Sequence, residues 1–163
     1  MTELERIESA SGKILVIYDT LFGNTEKIAK ALARGYQRHF KTICLNVKDV
    51  DIGQLSAYGL IAVGAPTHAF SASKPMKEFL ANLEGKNLTG RYGFAFDTRR
   101  DIVISGSAAK YIENKLRGMR LEIVKPRQSA IVTGDTRHSE LVEGEEERFE
   151  TLGDAIGASL KEK

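Results

Sequence analysis

The segment Lys13-Ile14-Leu15-Val16-Ile17-Tyr18-Asp19-Thr20-Leu21-Phe22-Gly23-Asn24-Thr25 decides the fold. Its first half is a continuous apolar run with no polar alternation, the pattern of a β-strand covered on both faces. After Asp19 the chain turns polar, and beyond Thr25 the residues Ile28, Leu32, Tyr36 and Phe40 recur every fourth position. That spacing places them on one stripe of a helix. A buried strand running through a short turn into an amphipathic helix is the opening of a strand–helix–strand unit.

The alternation continues along the chain. Thr42 to Val47, Leu60 to Ala65 and Tyr92 to Phe96 read as further buried strands. A fifth is divided between Leu121–Val124 and Ser129–Val132, broken at Pro126, which cannot donate to a ladder and so fits a sheet edge. Pro75 suits the first turn of a helix carrying Met76, Phe79, Leu80 and Leu83. Ala109, Ile112, Leu116 and Met119 mark another, capped near Ser107, and Phe149, Leu152, Ile156 and Leu160 mark the last. The connection from Lys48 to Tyr58 reads as one short helix. Strands alternating with helices predict a parallel sheet wrapped on both faces. Right-handed crossovers leave two common strand orders, and five strands favour 2-1-3-4-5. The expected architecture is α/β: a three-layer sandwich around a five-stranded parallel sheet, with 12–163 as a single domain and 1–11 as a flexible polar tail.

Composition narrows the class. With 42% hydrophobic and 28% charged residues in a chain of 163, the profile is that of a soluble globular domain. No apolar run reaches the roughly 18 residues of a membrane span. Met1 to Gly12 is acidic and polar, unlike a secretion signal. One cysteine, Cys44, excludes an internal disulfide and points to a reducing cytoplasm. Set among Thr42, Ile43, Leu45 and Val47, it reads as a core thiol. A net charge of +2, from 24 cations and 22 anions well mixed, gives no sign of nucleic-acid or membrane binding. Lys110, Lys115, Arg117, Arg120, Lys125 and Arg127 crowd one stretch, however, and Glu140 to Glu150 is acidic. Solvated helix faces explain both; a docking patch is the alternative.

In such sheets ligands gather beyond the carboxyl ends of the strands where the order reverses, here between strands one and three. Three loops meet there. The first, Asp19 to Thr25, leads directly into a helix whose amino end carries unpaired N–H groups and a partial positive charge. Gly23 lets the backbone fold around an anion, while Thr20, Asn24 and Thr25 offer short polar side chains. No lysine or arginine stands in the turn, which suits a terminal monophosphate. The Walker pattern G-x-x-x-x-G-K-[ST] is absent, and so is the G-x-G-x-x-G of a dinucleotide-binding dehydrogenase. The alternative is a plain helix cap with Phe22 as a packing residue.

Thr20-Leu21-Phe22-Gly23-Asn24-Thr25 resembles the phosphate loop of the flavodoxin family, T/S-x-T/S-G-x-T, and the family's element order is matched from Lys13 to about Leu160. The resemblance implies a flavodoxin-like fold and a bound FMN. Phe22 replaces the family's middle Thr or Ser, as in the flavodoxin modules of flavo-diiron proteins and in flavodoxin-like quinone reductases. The second loop, with Pro66, Thr67, His68, Ala69 and Phe70, resembles the segment that flanks the isoalloxazine ring in those relatives. Phe70 is a candidate to stack on the ring, and His68 a candidate to supply a proton or stabilise the reduced, anionic ring. No glycine follows Gly64 until Gly85, whereas many carrier flavodoxins have here a glycine, tolerant of positive φ, whose peptide flips toward the one-electron-reduced flavin; its absence counts against a one-electron shuttle.

The third loop runs from Asp97 through Thr98, Arg99 and Arg100 to Ser107. It lacks the stacking aromatic and the acidic character of carrier flavodoxins. Asp97, Thr98 and Arg99 are its candidate flavin contacts, and a guanidinium near the ring would favour the anionic reduced form.

Family resemblance thus implies an FMN-binding redox protein, either an electron-transfer module or a small FMN-dependent reductase. Its partner would be a redox protein or a small quinone-like acceptor, and a homo-oligomer in which a neighbour completes the pocket is compatible with the spare third loop. The alternative is a binding or assembly module that keeps the fold without flavin. A phosphate-accepting receiver is excluded because Ala65-Pro66-Thr67 stands where it needs an aspartate, and no G-x-S-x-G elbow for a hydrolase occurs in a strand-to-helix turn.

Overall fold

The computed structural model describes residues 12–102, 106–135 and 137–162. The expected tail, 1–11, lies outside the described residues. The apolar runs become β1 (Lys13–Tyr18), β2 (Lys41–Asn46), β3 (Leu60–His68), β5 (Tyr92–Arg100) and β7 (Gln128–Gly134), with a two-residue β4 (Ser71–Ala72) folded back on β3. Their sheet order is β2-β1-β3-β5-β7, all parallel, as the 2-1-3-4-5 expectation requires.

Register explains why these strands show no polar alternation. Ile14, Val16, Leu60, Ala62, Phe94 and Phe96 pack on one face against α1 (Asn24–Tyr36) and α4 (Glu145–Lys161). Leu15, Ile17, Ile61, Val63 and Ala95 pack on the other against α2 (Lys74–Ala81) and α3 (Ala108–Gly118). Each strand is therefore apolar on both sides.

α1 and α4 approach closely because small residues line their contact. A Cβ at Gly153 would collide with the Leu32 carbonyl of α1. The pair is tied at its exposed rim by Arg34 and Arg38 to Glu150, and by Arg38 and His39 to Asp154.

Three local features differ from expectation. The Lys48–Tyr58 connection forms two short 3-10 helices, Val47–Asp49 and Ile52–Ala57, each started by a side chain: Asn46 accepts from Lys48 N–H and Asp51 from Gly53 N–H. Such Asx caps favour tight turns over a continuous helix. Pro126 divides the fifth strand as expected, but both pieces lie along β5: β6 (Glu122–Ile123) pairs near its start and β7 near its end. The sheet edge is instead β8 (Ser139–Leu141), three residues antiparallel to β7, which the sequence does not announce. A very short edge strand limits the exposed ladder. Cys44, on β2 and half-buried, has its thiol pushed up to about 11 by desolvation, the behaviour of an inert core thiol.

Candidate cofactor site

At the carboxyl end of the sheet, the loops after β1, β3 and β5 enclose a cleft of about 200 Å³. It brings together Thr20, Leu21, Phe22, Asn24 and Thr25 from the first loop, and Pro66, Thr67 and His68 from the second. Thr98 and Arg99 contribute from the third. Strand pairing makes this juxtaposition obligatory: Tyr18 is registered with Gly64, and Pro66 with Thr98. Gly23 shapes the turn through its backbone, at φ 90°, with open space where a Cβ would stand.

The amino end of α1 is left unsatisfied. No side chain caps it, and among the described residues no protein group accepts from the N–H groups of Asn24, Thr25 and Glu26. The Thr20 hydroxyl oxygen accepts from Gly23 N–H at 3.0 Å, which closes the turn and leaves the hydroxyl proton available. The Thr25 and Thr98 hydroxyls are buried and 2.8 Å apart. Whichever donates within the pair, one hydroxyl proton remains for a ligand. Asn24 is committed elsewhere: its amide donates to the backbone oxygen and hydroxyl of Ser139 at 2.9 and 3.0 Å, fastening β8 to the cleft. An unpartnered row of N–H groups with two hydroxyls and a positive dipole end, and no charged residue from Thr20 to Thr25, fits a phosphate monoester.

Asp97, a candidate contact by sequence, faces away. Its carboxylate is fully buried, and one oxygen accepts from Ser107 hydroxyl at 2.8 Å, Ala109 N–H at 2.9 Å and Thr67 hydroxyl at 3.3 Å. It serves the amino end of α3, not the cleft. Ala69 and Phe70 do not line the cleft either. They form the two-residue turn between β3 and β4, at φ 48° and 72°. The turn takes positive φ at both central residues, as primed hairpin turns do, without a glycine. Such backbone costs about 1–3 kcal/mol per residue and is typical of ligand clamps. It displays the Phe70 ring, 68% exposed, beyond the cleft wall.

Four lining residues lie outside the candidate set: Arg100, Val132, Asp135 and Ser139. Three belong to β7, β8 and their connection. The turn residues Gly134 and Asp135 between two apolar stretches are the signal that could have revealed this hairpin. The Asp135 carboxylate is held below the usual range by N–H donation from Arg137 and His138 and by the nearby Arg100. Arg99 donates to the Ser129 hydroxyl at 3.2 Å and reaches the Gly106 carbonyl at 3.5 Å, both uncharged. Neither the metal-ligand clusters nor the membrane-crossing helices that would suggest another chemistry occur among the described residues.

Comparison with known proteins agrees with this geometry. The flavodoxin family model matches residues 16–151. A flavodoxin of Clostridium saccharobutylicum is 28% identical over 160 residues, 92% of this chain and 98% of that protein. A rubredoxin-oxygen oxidoreductase of Megalodesulfovibrio gigas is 24% identical over 161 residues, 96% of this chain but 38% of its own length. The structure of a flavodoxin from the domain Archaea superposes with a TM-score of 0.75 at 25% identity, over 91% of this chain and 99% of the other. The match spans the three loops of the cleft as well as the sheet, and the chain belongs to the flavodoxin family.

Proposed function

We propose that the cleft holds FMN with its phosphate on the amino end of α1 and its ring system between the loops after β3 and β5. Family membership makes the chain an FMN-binding electron-transfer protein. The observation that carries the placement is the uncapped amino end of α1. Bound FMN supplies the electron-accepting and electron-donating chemistry, and the protein supplies orientation and electrostatics.

Each part of the chain has a distinct task. Asn24, Thr25 and Glu26 donate backbone N–H groups to the phosphate, and Thr20 and the Thr25–Thr98 pair donate hydroxyl protons. Gly23 holds the turn, and Asn24 locks β8 against it. Leu21, Phe22, Pro66 and Thr67 exclude water from the ring. Arg99, which donates to the Ser129 hydroxyl and lies beside the Gly106 carbonyl, would favour negative charge on a ring bound next to it. Arg100 is partly offset by Asp135. His68 ends β3 at the cleft wall, where a ring edge would meet it, and Phe70 stands beyond it on the β3–β4 turn. Asp97 contributes by fixing α3 and hence Thr67. The electron partner is a redox protein or a small quinone-like acceptor. No observation favours a flavin-free module.

Purified chain incubated with FMN and freed of excess should be yellow and release one FMN per chain on heating. Colourless protein that takes up no added FMN would overturn the reading.

A further inference from the structure

Beside the cleft, on the far side of Arg99, lies an open recess of about 520 Å³. Arg99, Lys110 and Arg127 line it together with the hydroxyl-bearing Ser107 and Ser129, and no carboxylate does among the described residues. The long cationic stretch of the sequence is sorted here by side-chain partners. Lys115 turns to Glu84 at 3.0 Å and Arg117 to Glu113 at 3.5 Å, away from the recess. Lys110 makes no ion pair among the described residues. Arg127 shares its one carboxylate, Glu113, with Arg117, so a positive surplus remains.

A second observation says what kind of ligand this charge serves. Of the large apolar side chains left exposed among the described residues, Leu21, Phe22, Phe70 and Ile102 all sit on the loops around the cleft mouth; Val142 is the exception. Phe70 pairs through its backbone with Gly106, which lines the recess, so apolar rim and basic recess are one continuous surface. A small anion would be served by the recess alone. Exposed aromatic and aliphatic side chains next to arginines are the composition of a protein interface. The cations are too few, and too confined to one spot, to track a phosphate backbone.

We propose that this surface docks an acidic redox protein, whose carboxylates enter the recess while its electron-carrying face covers the apolar rim. Arg99, which lines both cleft and recess, sets the partner against the cofactor. The inference rests on the FMN reading for its purpose but not for its test. It reverses the sign expected of carrier flavodoxins, whose acidic surfaces dock on basic partners.

The probe is a basic cytochrome c and the same cytochrome succinylated at its lysines, which inverts its charge on one scaffold. FMN-loaded chain, reduced by two electrons, is mixed anaerobically with either ferric form, and two haems each take up one electron per flavin. The succinylated form should react at least tenfold faster at about 10 mM than at 500 mM salt, since steering of this kind is worth about 10–1,000-fold. The native form should be insensitive to salt or accelerated by it. Lys110→Glu, and Lys110→Glu with Arg127→Gln, should abolish most of the salt effect while leaving FMN affinity unchanged. A rate for the succinylated form that ignores salt, or that survives both variants, overturns the proposal. So does strong inhibition by a single-stranded oligonucleotide through the same two residues, which would assign the surface to nucleic acid. A chain that takes up no FMN would sink the cofactor reading alone. Calorimetric binding of the succinylated form to flavin-free chain, and its loss in Lys110→Glu, would still decide the docking surface.

Discussion

Two helix amino ends face the same edge of the sheet, and they are finished in opposite ways. At α3, Ser107 accepts from Lys110 N–H, Asp97 from Ala109 N–H and Thr67 from Ala108 N–H. The first three N–H groups are all served by the protein, and a buried carboxylate supplies the negative charge that the dipole favours. At α1, Gly23 stands where Ser107 stands in α3, and the corresponding N–H groups of Asn24, Thr25 and Glu26 meet no protein acceptor among the described residues. The open end of α1, which lines the cleft, is the one the proposed reading assigns to an anion from outside. On the proposed reading, the phosphate of FMN would do for α1 what Asp97 does for α3.

That contrast can be broken from either side. The largest effect should come from Asp97→Ala, which removes three hydrogen bonds to a buried carboxylate and strands the donors around it. Unfolding in urea should show a loss of roughly 3 kcal/mol; an unchanged midpoint would mean that α3 does not depend on its internal anion. Thr25→Val should act on the ligand instead. FMN affinity, followed by quenching of flavin fluorescence, should fall about 10–100-fold, with a stability loss of only about 1 kcal/mol from the Thr98 bond. If stability collapses with affinity untouched, the pair is structural and the phosphate lies elsewhere. Ser107→Ala removes the helix cap and one of the three donors to the buried Asp97 carboxylate, and should cost about 1–2 kcal/mol with no effect on FMN.

A third helix end sharpens the comparison by pH. α4 starts at Gly144 without a side-chain cap, and its first residue, Glu145, accepts from Ile131 N–H while Arg148 clasps its carboxylate. The Arg148 guanidinium, and then the Ile131 N–H, hold Glu145 below the usual carboxylate range against the opposing effect of burial. Asp154, paired with His39 and Arg38, is shifted the same way. A depressed carboxylate stabilises the fold above its unfolded pKa, and that contribution is lost as pH falls through the folded one. Chain stability should therefore hold near pH 5 and decline below about pH 4. Glu145→Gln should flatten the decline; an equally steep one would show that these pairs do not govern acid unfolding.

Much of this was legible in the sequence because it was written in local pattern. Runs such as Lys13 to Tyr18 are apolar on both faces, and the Ile28-Leu32-Tyr36 stripe follows helical period, so strand order and layers follow from connection rules. That the turn from Thr20 to Thr25 lines the cleft was legible because its six residues carry their own chemistry. What escaped was long-range or conformational. Nothing near Asp97 in the chain shows that its carboxylate meets a helix starting eleven residues later. The β7–β8 hairpin escaped because Ser139 to Leu141 is too short to carry a period, and it reaches the cleft through one amide of Asn24. The positive φ of Ala69 and Phe70 escaped because those residue types argue against it, and only the surrounding sheet imposes it.

The central claim is that the open end of α1 binds the phosphate, and the most direct test compares FMN with riboflavin, which has the same ring and no phosphate. Titration calorimetry of the flavin-free chain should find riboflavin weaker by about a hundredfold, near 2.8 kcal/mol, with the gap shrinking in Thr25→Val. Equal affinities for the two flavins would contradict the account.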